Sequence, residues 1–557
     1  MDEVPVATTT GLVCLIERLE ATQRNQPLYY FLDSKLRVTR SLESKALFDH
    51  ARRLAGVIQA AVPPGEPVVV VRTQGPSTIL GLFAVILAGC VPLVVPLAPR
   101  DSVSVIINLM QSRGLSYVLA SRKIAAQLRA DVGAEARDDA APLVVLHTGE
   151  RATLRRWQPP NRSGHDILSL QWQGAPDVDT ATLAVSHRNA LNCLAEVAQQ
   201  LSLQVGDRGL CVQPVDQSDA WLLHVLMPLY LQAPGYFLSL RHILRKPSRW
   251  MEAMARFKCH YSGAPAFLFD VCATEPAALN STALRQVKSL YALTARENPD
   301  ALTSFMAAYA PAGLPSQSLH TAYGFERSGV WLAGRRMPGA IRHRGRFCLS
   351  HGRLVDDVKA ELTEEGLPPG WASLNVVGEA SRLPFPESAR SRAPLDAQRL
   401  RSLAGANWAG VPRTVVTGDL ALVEEQQLYI HGRREALIRC GDTYVGAEDI
   451  EALVMQTFQP EGIRHCVVIP LPEAGEFAVV AECARRESAT RWTPIAMAIP
   501  ELVRRVYQVE PSRVMLLRPN SLMPSADMTQ WREQCRLALL SGELLQYVQP
   551  ASRGSGG

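Results

Sequence analysis

The stretch PVVVVRTQGPSTILGLFAVILAGCVPLVVPL, residues 67–97, decides the fold class. Four consecutive valines at residues 68–71 predict a buried strand, and a second apolar run follows at residues 91–97. Between them, residues 77–90 have the length and composition of a helix. A strand, a helix and a second strand in this order predict a βαβ unit with parallel strands buried on both faces.

The apolar part of this stretch, residues 79–97, is also long enough to cross a bilayer. Pro92 and Pro96 interrupt its second half, and the valine run lies just upstream, so we expect a buried unit and no membrane span. The first ten residues lack the basic and then apolar pattern of a signal peptide. The eleven cysteines have no metal-ligand spacing, which predicts reduced thiols in a cytoplasmic protein.

The length of 557 residues predicts two to four domains or subdomains. The formal net charge of +5 is spread over a large surface and does not indicate a nucleic-acid partner. Most basic residues are arginines, and no lysine follows Lys359. Beyond that residue, any chemistry that needs an ammonium group has no lysine to supply it.

Alternating strand and helix patterns continue beyond the opening stretch and predict an α/β fold. We expect a large N-terminal domain of layered α/β subdomains over residues 1–432, within which residues 335–410 form a rebuilt, basic segment. A small α+β domain is expected over residues 433–550, followed by a flexible tail at 551–557.

Several stretches, in this order and spacing, carry a resemblance to a known family. They are SGAPAFLFDVC (262–272), AYGFERSGVWLAG (322–334), VVTGDLALVEEQQLYIHGRREALI (415–438) and GDTYVGAEDIEALV (441–454). Together they resemble adenylate-forming enzymes, and within these the fatty acyl-AMP ligases. The resemblance implies a large and a small domain that close on ATP and a fatty acid. It also implies transfer of the acyl group to the phosphopantetheine thiol of a carrier protein.

The resemblance places a phosphate-binding loop at residues 173–182, between a buried strand and a helix capped by Ser186 or Asn189. In the family this loop is rich in Ser, Thr and Gly and ends in a lysine. Here the lysine position is Ala181, and only Gly174 is suited to act as a turn glycine. Asp177 and Asp179 add negative charge where a polyanion should bind. We expect a surface loop here, with a rewired phosphate site as the alternative.

Three further positions depart from the family pattern. Arg296 stands where the family leaves room for adenine, and Arg327 replaces the carboxylate that binds Mg²⁺, which reverses the local charge. The lysine that closes adenylation near the C-terminus is Thr529, and Arg532 is a possible substitute cation. We therefore expect neither ATP nor Mg²⁺ as a cofactor and no metal site.

The substrate channel of the family contains a His-Asp pair, which becomes Gln217-Ser218 in this chain, and a small glycine, which becomes His224. His224 is expected to narrow the acyl tunnel; it is either a structural histidine or a new reactive group.

Three family residues that contact the nucleotide are retained: Tyr323, Asp419 and Arg433. Each has a structural alternative, because Tyr323 can be a core residue, Asp419 can cap a turn and Arg433 can pair with it.

The leading hypothesis is a catalytically degenerate fatty acyl-AMP ligase homologue. It would be retained to bind an acyl group or an acyl carrier protein in a lipid, polyketide or nonribosomal peptide pathway. The arginine-rich residues 335–353 are one candidate docking segment, with a solvated basic loop as the alternative. A second hypothesis is ATP-independent chemistry on a carrier-bound acyl group, with candidates His224, His187 and Asp219. A third is residual acyl-AMP ligase activity that uses Arg532 or Arg327.

Overall fold

The computed structural model describes residues 11 to 548 apart from several gaps. The gaps are residues 24, 73–74, 98–101, 135–143, 150–155, 173–181, 294–298, 337–339, 344–345, 352, 365–366, 368–371, 380–384, 388–411, 441–442, 472–474, 486–488, 520, 523–527, 543 and 545. The expected flexible tail at 551–557 lies outside the described residues.

The strands are numbered in chain order. They are β1 (Pro27–Leu32), β2 (Val38–Glu43), β3 (Pro67–Arg72), β4 (Val91–Pro96), β5 (Tyr117–Ala120), β6 (Val144–His147), β7 (Ile167–Trp172), β8 (Thr182–Ser186), β9 (Gly209–Cys211), β10 (Gly235–Leu238), β11 (Tyr261–Pro265), β12 (Ser289–Leu293), β13 (Leu319–Tyr323), β14 (Ala333–Arg336), β15 (Ala340–His343), β16 (Arg346–Leu349), β17 (Val358–Thr363), β18 (Ser373–Glu379), β19 (Phe385–Glu387), β20 (Pro412–Glu424), β21 (Gln427–Arg433), β22 (Leu437–Cys440), β23 (Thr443–Gly446), β24 (Ile463–Pro470), β25 (Phe477–Cys483), β26 (Arg513–Leu517) and β27 (Gln546–Val548).

The helices alternate with these strands. The α-helices are Leu12–Gln23, Ser44–Ala61, Pro76–Leu87, Ser104–Ser112, Arg122–Ala134, His187–Gln200, Met227–Tyr230, Leu240–Arg245, Arg249–Arg256, Ala266–Thr274, Pro299–Tyr309, Phe325–Ser328, Ala447–Phe458, Ala489–Tyr507 and Met528–Leu540. A π-helix spans Ala220–Leu226, and short 3₁₀-helices span Ala310–Ala312 and Arg434–Ala436.

The opening stretch forms the predicted βαβ unit. Strands β3 and β4 pair in parallel, and helix Pro76–Leu87 connects them. Gly75 precedes the helix with a φ of 105°, a backbone conformation that residues other than glycine rarely adopt. Every residue of β3 except Arg72 is buried, as a parallel strand covered on both faces requires. No helix in the described part of the chain is long and apolar enough to cross a membrane.

Two large sheets organise the N-terminal part of the chain. One has seven strands in the order β19-β8-β7-β4-β3-β5-β6, and the other has eight in the order β14-β13-β12-β11-β9-β10-β1-β2. A four-stranded sheet has the order β17-β18-β20-β21, and β15 with β16 and β22 with β23 form hairpins. Strands β24 to β27 form a further sheet, in sequence order, in the C-terminal part.

The chain divides into two compact units. The larger contains residues 1–361, 375–417 and 423–429, and the smaller contains residues 362–374, 418–422 and 430–557. The larger unit contains both large sheets, and the smaller has its own core around strands β24, β25 and β26. This arrangement confirms the predicted fold class, a large α/β part with a small α+β part. The single boundary placed at residue 433 stays a prediction.

Candidate functional site

The strand and helix that frame the phosphate loop are present as the sequence predicts. Strands β7 and β8 pair in antiparallel, and β8 ends at Ser186, which caps helix His187–Gln200. The Asn189 N–H donates to Ser186 Oγ at 3.1 Å, and the Ser186 N–H donates to Asn189 Oδ1 at 3.0 Å. Both capping residues named from the sequence therefore act together as a capping box.

Several predicted site residues cannot be placed in this frame. Gly174, Ala181 and Arg296 lie outside the described residues. Arg327 lies in helix Phe325–Ser328 and Thr529 in helix Met528–Leu540, but the structure describes only their backbone. The expectations for these five residues stay predictions.

One member of the pair at the His-Asp position, Ser218, contacts the end of strand β7. The Ser218 hydroxyl donates to Gln171 Oε1 at 2.6 Å. The Gln217 N–H donates to the Pro214 carbonyl, so its backbone closes the turn that leads into the π-helix. These side chains are neutral, and Ser218 connects the π-helix to the strand preceding the phosphate loop.

Asp219 immediately follows this pair and precedes the π-helix. Its side chain is buried, and within the described residues its Oδ2 atom has no hydrogen-bond partner. Burial raises the pKa of Asp219 to about 7, and the nearby Asp216 carboxylate adds to the increase. Burial raises the pKa of Asp216 as well, but Arg72, whose Nε lies 2.7 Å from Asp216 Oδ1, opposes that increase. Asp219 is thus a buried acid near the midpoint of its titration at neutral pH.

His224 lies within the π-helix and faces two tyrosine rings. Its Nε2 lies 2.8 Å from the Tyr291 hydroxyl, and its ring stacks on Tyr261 at a centroid distance of 5.5 Å. The side chain is 1% exposed, and burial lowers the pKa of His224 to about 3. The imidazole is therefore neutral at physiological pH and packs among aromatic rings.

Three tyrosines, Tyr29, Tyr261 and Tyr291, hold the π-helix through their hydroxyl groups, and we call them the tyrosine clamp. Tyr29 donates to the Val225 carbonyl at 2.6 Å, and Tyr261 donates to the Leu223 carbonyl at 2.9 Å. Pro228, five residues after Leu223, has no N–H to donate to that carbonyl. The Tyr261 hydroxyl supplies the donor that the helix lacks.

Each clamp tyrosine has a glycine beside it on the neighbouring strand. The register pairs Tyr29 with Gly235, Tyr261 with Gly209 and Tyr291 with Gly263. A Cβ atom at Gly209 would lie 2.4 Å from the Tyr261 ring, and one at Gly263 would lie 1.8 Å from the Tyr291 ring. The rings of Tyr261 and Tyr291 therefore lie over their neighbouring strands, and only glycine permits this approach.

The tyrosine clamp is the feature that sequence reasoning missed. The strands involved carry the signal as tyrosines and glycines, and YSGAP at 261–265 contains one of each. Without the strand register, that pattern does not indicate which glycine faces which ring.

His187 contacts the first residue of helix Leu12–Gln23. Its Nδ1 accepts a hydrogen bond from the Leu12 N–H at 3.1 Å, and a Cβ atom at Gly11 would lie 2.7 Å from that nitrogen. The residue is 4% exposed, and burial lowers the pKa of His187 to about 4. This hydrogen bond joins the start of helix His187–Gln200 to the start of helix Leu12–Gln23.

Of the three residues at nucleotide-contacting positions of the family, Tyr323 and Asp419 are buried and Arg433 is partly exposed. Tyr323 is 3% exposed and packs against the His351 ring at a centroid distance of 5.7 Å. Asp419 is 0% exposed, and its Oδ1 accepts a hydrogen bond from Arg433 Nη1 at 2.9 Å. The pairing of Arg433 with Asp419 that the sequence offered as an alternative is therefore present, and Arg433 also pairs with Glu435 at 2.8 Å.

Arg532 is tied into the small unit. Its Nη2 donates to Glu451 Oε1 at 2.9 Å, and its Nε donates to the Val468 carbonyl at 2.9 Å. The Val468 N–H donates to the same Glu451 oxygen at 2.8 Å, which closes a three-membered network. The residue is 6% exposed, so its guanidinium connects helix Met528–Leu540 to strand β24.

Comparisons with known proteins identify the family. The profile of the AMP-binding enzyme family matches residues 19–370. The chain is 20% identical to the 4-hydroxyphenylalkanoate adenylyltransferase of Mycobacterium tuberculosis, over 92% of this chain and 89% of that protein. It is also 20% identical to the medium-chain fatty-acid–[acyl-carrier-protein] ligase JamA of Moorena producens, over 96% of both chains.

A solved structure shows the same fold over nearly the whole chain. This structure, from work on the fatty acyl-adenylate ligases of E. coli and L. pneumophila, superposes with a TM-score of 0.78 at 15% identity. The match covers 96% of this chain and 98% of that chain. The chain is therefore a member of the AMP-binding enzyme family and is similar to its fatty acyl-AMP ligases.

Proposed function

We propose that this chain is a catalytically degenerate fatty acyl-AMP ligase homologue that does not adenylate with ATP. It would be retained to bind an acyl group or an acyl carrier protein in a lipid, polyketide or nonribosomal peptide pathway. The observation that carries the proposal is that the C-terminal part of the chain has no lysine and that its substitute cation is engaged within the protein. No lysine follows Lys359, and the substitute cation Arg532 is buried and bonded to Glu451 and to the Val468 carbonyl. A guanidinium held in this way is not available to a substrate phosphate.

The residues at the family's metal-binding and phosphate-binding positions also fit Mg-ATP poorly. The family position for the Mg²⁺-binding carboxylate is Arg327, and that for the loop lysine is Ala181. A guanidinium at a cation site repels the metal, and alanine offers no charge to the triphosphate. Tyr323 and Asp419 are buried and engaged with neighbours, which gives no support to a retained nucleotide site.

The hypothesis of ATP-independent chemistry gains little from the geometry. His187, Asp219 and His224 are each at most 4% exposed. His187 accepts a backbone hydrogen bond, and His224 contacts the Tyr291 hydroxyl. A general base must reach the proton that it abstracts, and these side chains face the protein interior.

A calorimetric titration of the full chain with Mg-ATP tests the proposal without any assumption about the acyl group. We expect no heat of binding at near-millimolar ATP and no ATP–pyrophosphate exchange with fatty acids of any chain length. An active fatty acyl-AMP ligase, titrated in parallel, shows that the ATP and the assay are competent. Micromolar ATP binding with pyrophosphate exchange would overturn the proposal and would favour residual ligase activity.

A further inference from the structure

Three strands of the eight-stranded sheet meet at one corner of the larger unit. Leu32 in β1 pairs in parallel with Leu238 in β10 and in antiparallel with Val38 in β2. The chain leaves β1 through a tight turn into β2, and it leaves β10 through Ser239 into helix Leu240–Arg245. Both segments therefore emerge side by side. We call residues 33–40 and 240–249 the basic corner.

The basic corner concentrates positive charge on exposed side chains. Its exposed cations are Lys35, Arg37, Arg40, Arg241, Arg245 and Lys246. Two of them are neutralised, because Arg37 pairs with Asp33 at 2.7 Å and Lys246 pairs with Glu252 at 3.5 Å. Among the described residues, no hydrogen bond or ion pair engages the side chains of the other four. These four side chains give the corner a local excess of positive charge.

Apolar side chains lie among these cations. Val38 is 46% exposed and Leu244 is 45% exposed. Val38 lies on β2, which is the last strand of its sheet and so leaves one edge unpaired. Exposed arginines on such an edge also discourage aggregation, but that role does not require an exposed leucine on the neighbouring helix. Apolar contacts surrounded by cations are typical of a surface that binds an acidic partner.

We propose that the basic corner binds an acidic acyl carrier protein. This inference rests on the proposed function, which requires a carrier-protein or acyl partner, and it names the surface. The four uncompensated cations would meet the carboxylates of the carrier protein, while Val38 and Leu244 would supply the apolar contact. Residues 335–353, the docking segment that the sequence offered, show fewer free cations: of the three arginines whose side chains the structure describes there, Arg353 is exposed and the other two are engaged. Arg335 donates to Gln427 at 2.8 Å, and Arg336 donates to Ser202 at 3.0 Å.

Binding of a purified acidic acyl carrier protein, labelled on its phosphopantetheine with a fluorophore, tests the inference by anisotropy without ATP. We expect saturable binding to the full chain that weakens as salt rises from 50 to 300 mM, because surface charges are screened over about 10 Å at 0.1 M salt. The double variant Arg241→Glu/Arg245→Glu should lose affinity by about tenfold or more. Arg504→Glu/Arg505→Glu is the matched control, since these exposed arginines also adjoin an exposed valine, Val506. The control should stay within about twofold of the unmodified chain.

The outcomes separate the two proposals. Binding that is unaffected by the Arg241/Arg245 reversal would overturn the basic corner and leave carrier-protein binding standing. Absence of any binding at 50 mM salt would overturn the basic corner together with the carrier-protein partner. ATP-dependent loading of the carrier protein with fatty acid would overturn the degenerate function. In that case the effect of the Arg241/Arg245 charge reversal on affinity would still show whether the carrier protein binds at the basic corner.

Discussion

The hydroxyl of Tyr291 and the Nε2 atom of His224 lie 2.8 Å apart in a buried part of the larger unit. This contact joins strand β12 to the π-helix, and stacking of His224 on Tyr261 extends it to strand β11. The resemblance gives the His224 position to a small residue lining an acyl tunnel. Here the imidazole of His224 lies among two phenol rings and is buried in this core.

The tyrosine clamp should determine how readily the π-helix opens. We expect Tyr261→Phe to speed hydrogen exchange in helix Ala220–Leu226, because the Leu223 carbonyl would lose its donor in a buried site. Tyr309→Phe is a control, since that hydroxyl donates to the Cys272 carbonyl away from the π-helix. Hydrogen–deuterium exchange measured by mass spectrometry reports both variants. Equal protection of the helix in Tyr261→Phe and in the unmodified chain would argue against the clamp.

Gly263 should tolerate no side chain. In Gly263→Ala the new methyl group would lie 1.8 Å from the Tyr291 ring and would push it away from His224. Overpacking of this kind costs about 1–3 kcal/mol of unfolding free energy. Gly164→Ala is the comparison, because its methyl group would meet only ordinary contacts at 3.7 Å or beyond. Urea denaturation of both variants measures the difference, and similar midpoints would contradict the described packing.

Asp219 should make stability depend on pH. Its pKa is about 7 in the folded chain and near 3.8 when unfolded, so its stabilising effect is present below pH 3.8 and is lost as the pH rises through 7. We expect the free energy of unfolding of Asp219→Asn to exceed that of the unmodified chain by about 2–4 kcal/mol at pH 8. At pH 5 the difference should be much smaller.

Asp216 provides the matched control for that prediction. Burial raises the pKa of Asp216 too, but Arg72 lies 2.7 Å from its carboxylate and opposes the increase, so Asp216→Asn leaves a cation without its partner and should gain less stability at pH 8 than Asp219→Asn. Urea denaturation at pH 5 and pH 8 compares both variants. A destabilised Asp219→Asn at pH 8 would mean that the Asp219 carboxylate has a stabilising partner when ionised.

Arg532 should act as a structural cation of the small unit. We expect Arg532→Met to lower the unfolding free energy of that unit by about 3–5 kcal/mol, because Glu451 would remain buried without its cation. Arg536→Met, on the same helix, removes a half-exposed pair with Glu533 and should cost less than about 1 kcal/mol. Thermal denaturation followed by circular dichroism compares the two. Unchanged stability in Arg532→Met would return Arg532 to the candidates for substrate binding.

The sequence predicted those parts of the fold that follow from local patterns. The valine run at 68–71 formed strand β3, and Ser186 with Asn189 capped their helix, because burial periodicity and capping are encoded within a few residues. The family motifs predicted the wider architecture. The packing of Tyr291 over Gly263 joins residues 28 positions apart and depends on strand register, which no local pattern encodes.

The candidate site was predictable only where a residue type is missing altogether. The absence of lysine after Lys359 needs no coordinates, and the assignment of Thr529 to the lysine position, counted back from Cys535 and Arg536, stays a prediction. The engagement of Arg532 by Glu451 was not predictable, because the two residues lie 81 positions apart on different helices. The sequence alone does not distinguish an arginine that faces an open cleft from one that is buried in a hydrogen-bond network.

Restoring a single lysine should not restore adenylation. In the family the loop lysine, the Mg²⁺ ligand and the C-terminal lysine act on one transition state, and groups that act as a unit are strongly non-additive. We expect Thr529→Lys to show no ATP–pyrophosphate exchange above background, because Ala181 and Arg327 still occupy the other two positions. The triple variant Ala181→Lys/Arg327→Glu/Thr529→Lys tests whether the remaining scaffold supports the reaction. Exchange in the single variant would show that the phosphate loop and metal site still function, and the degenerate function would then be wrong.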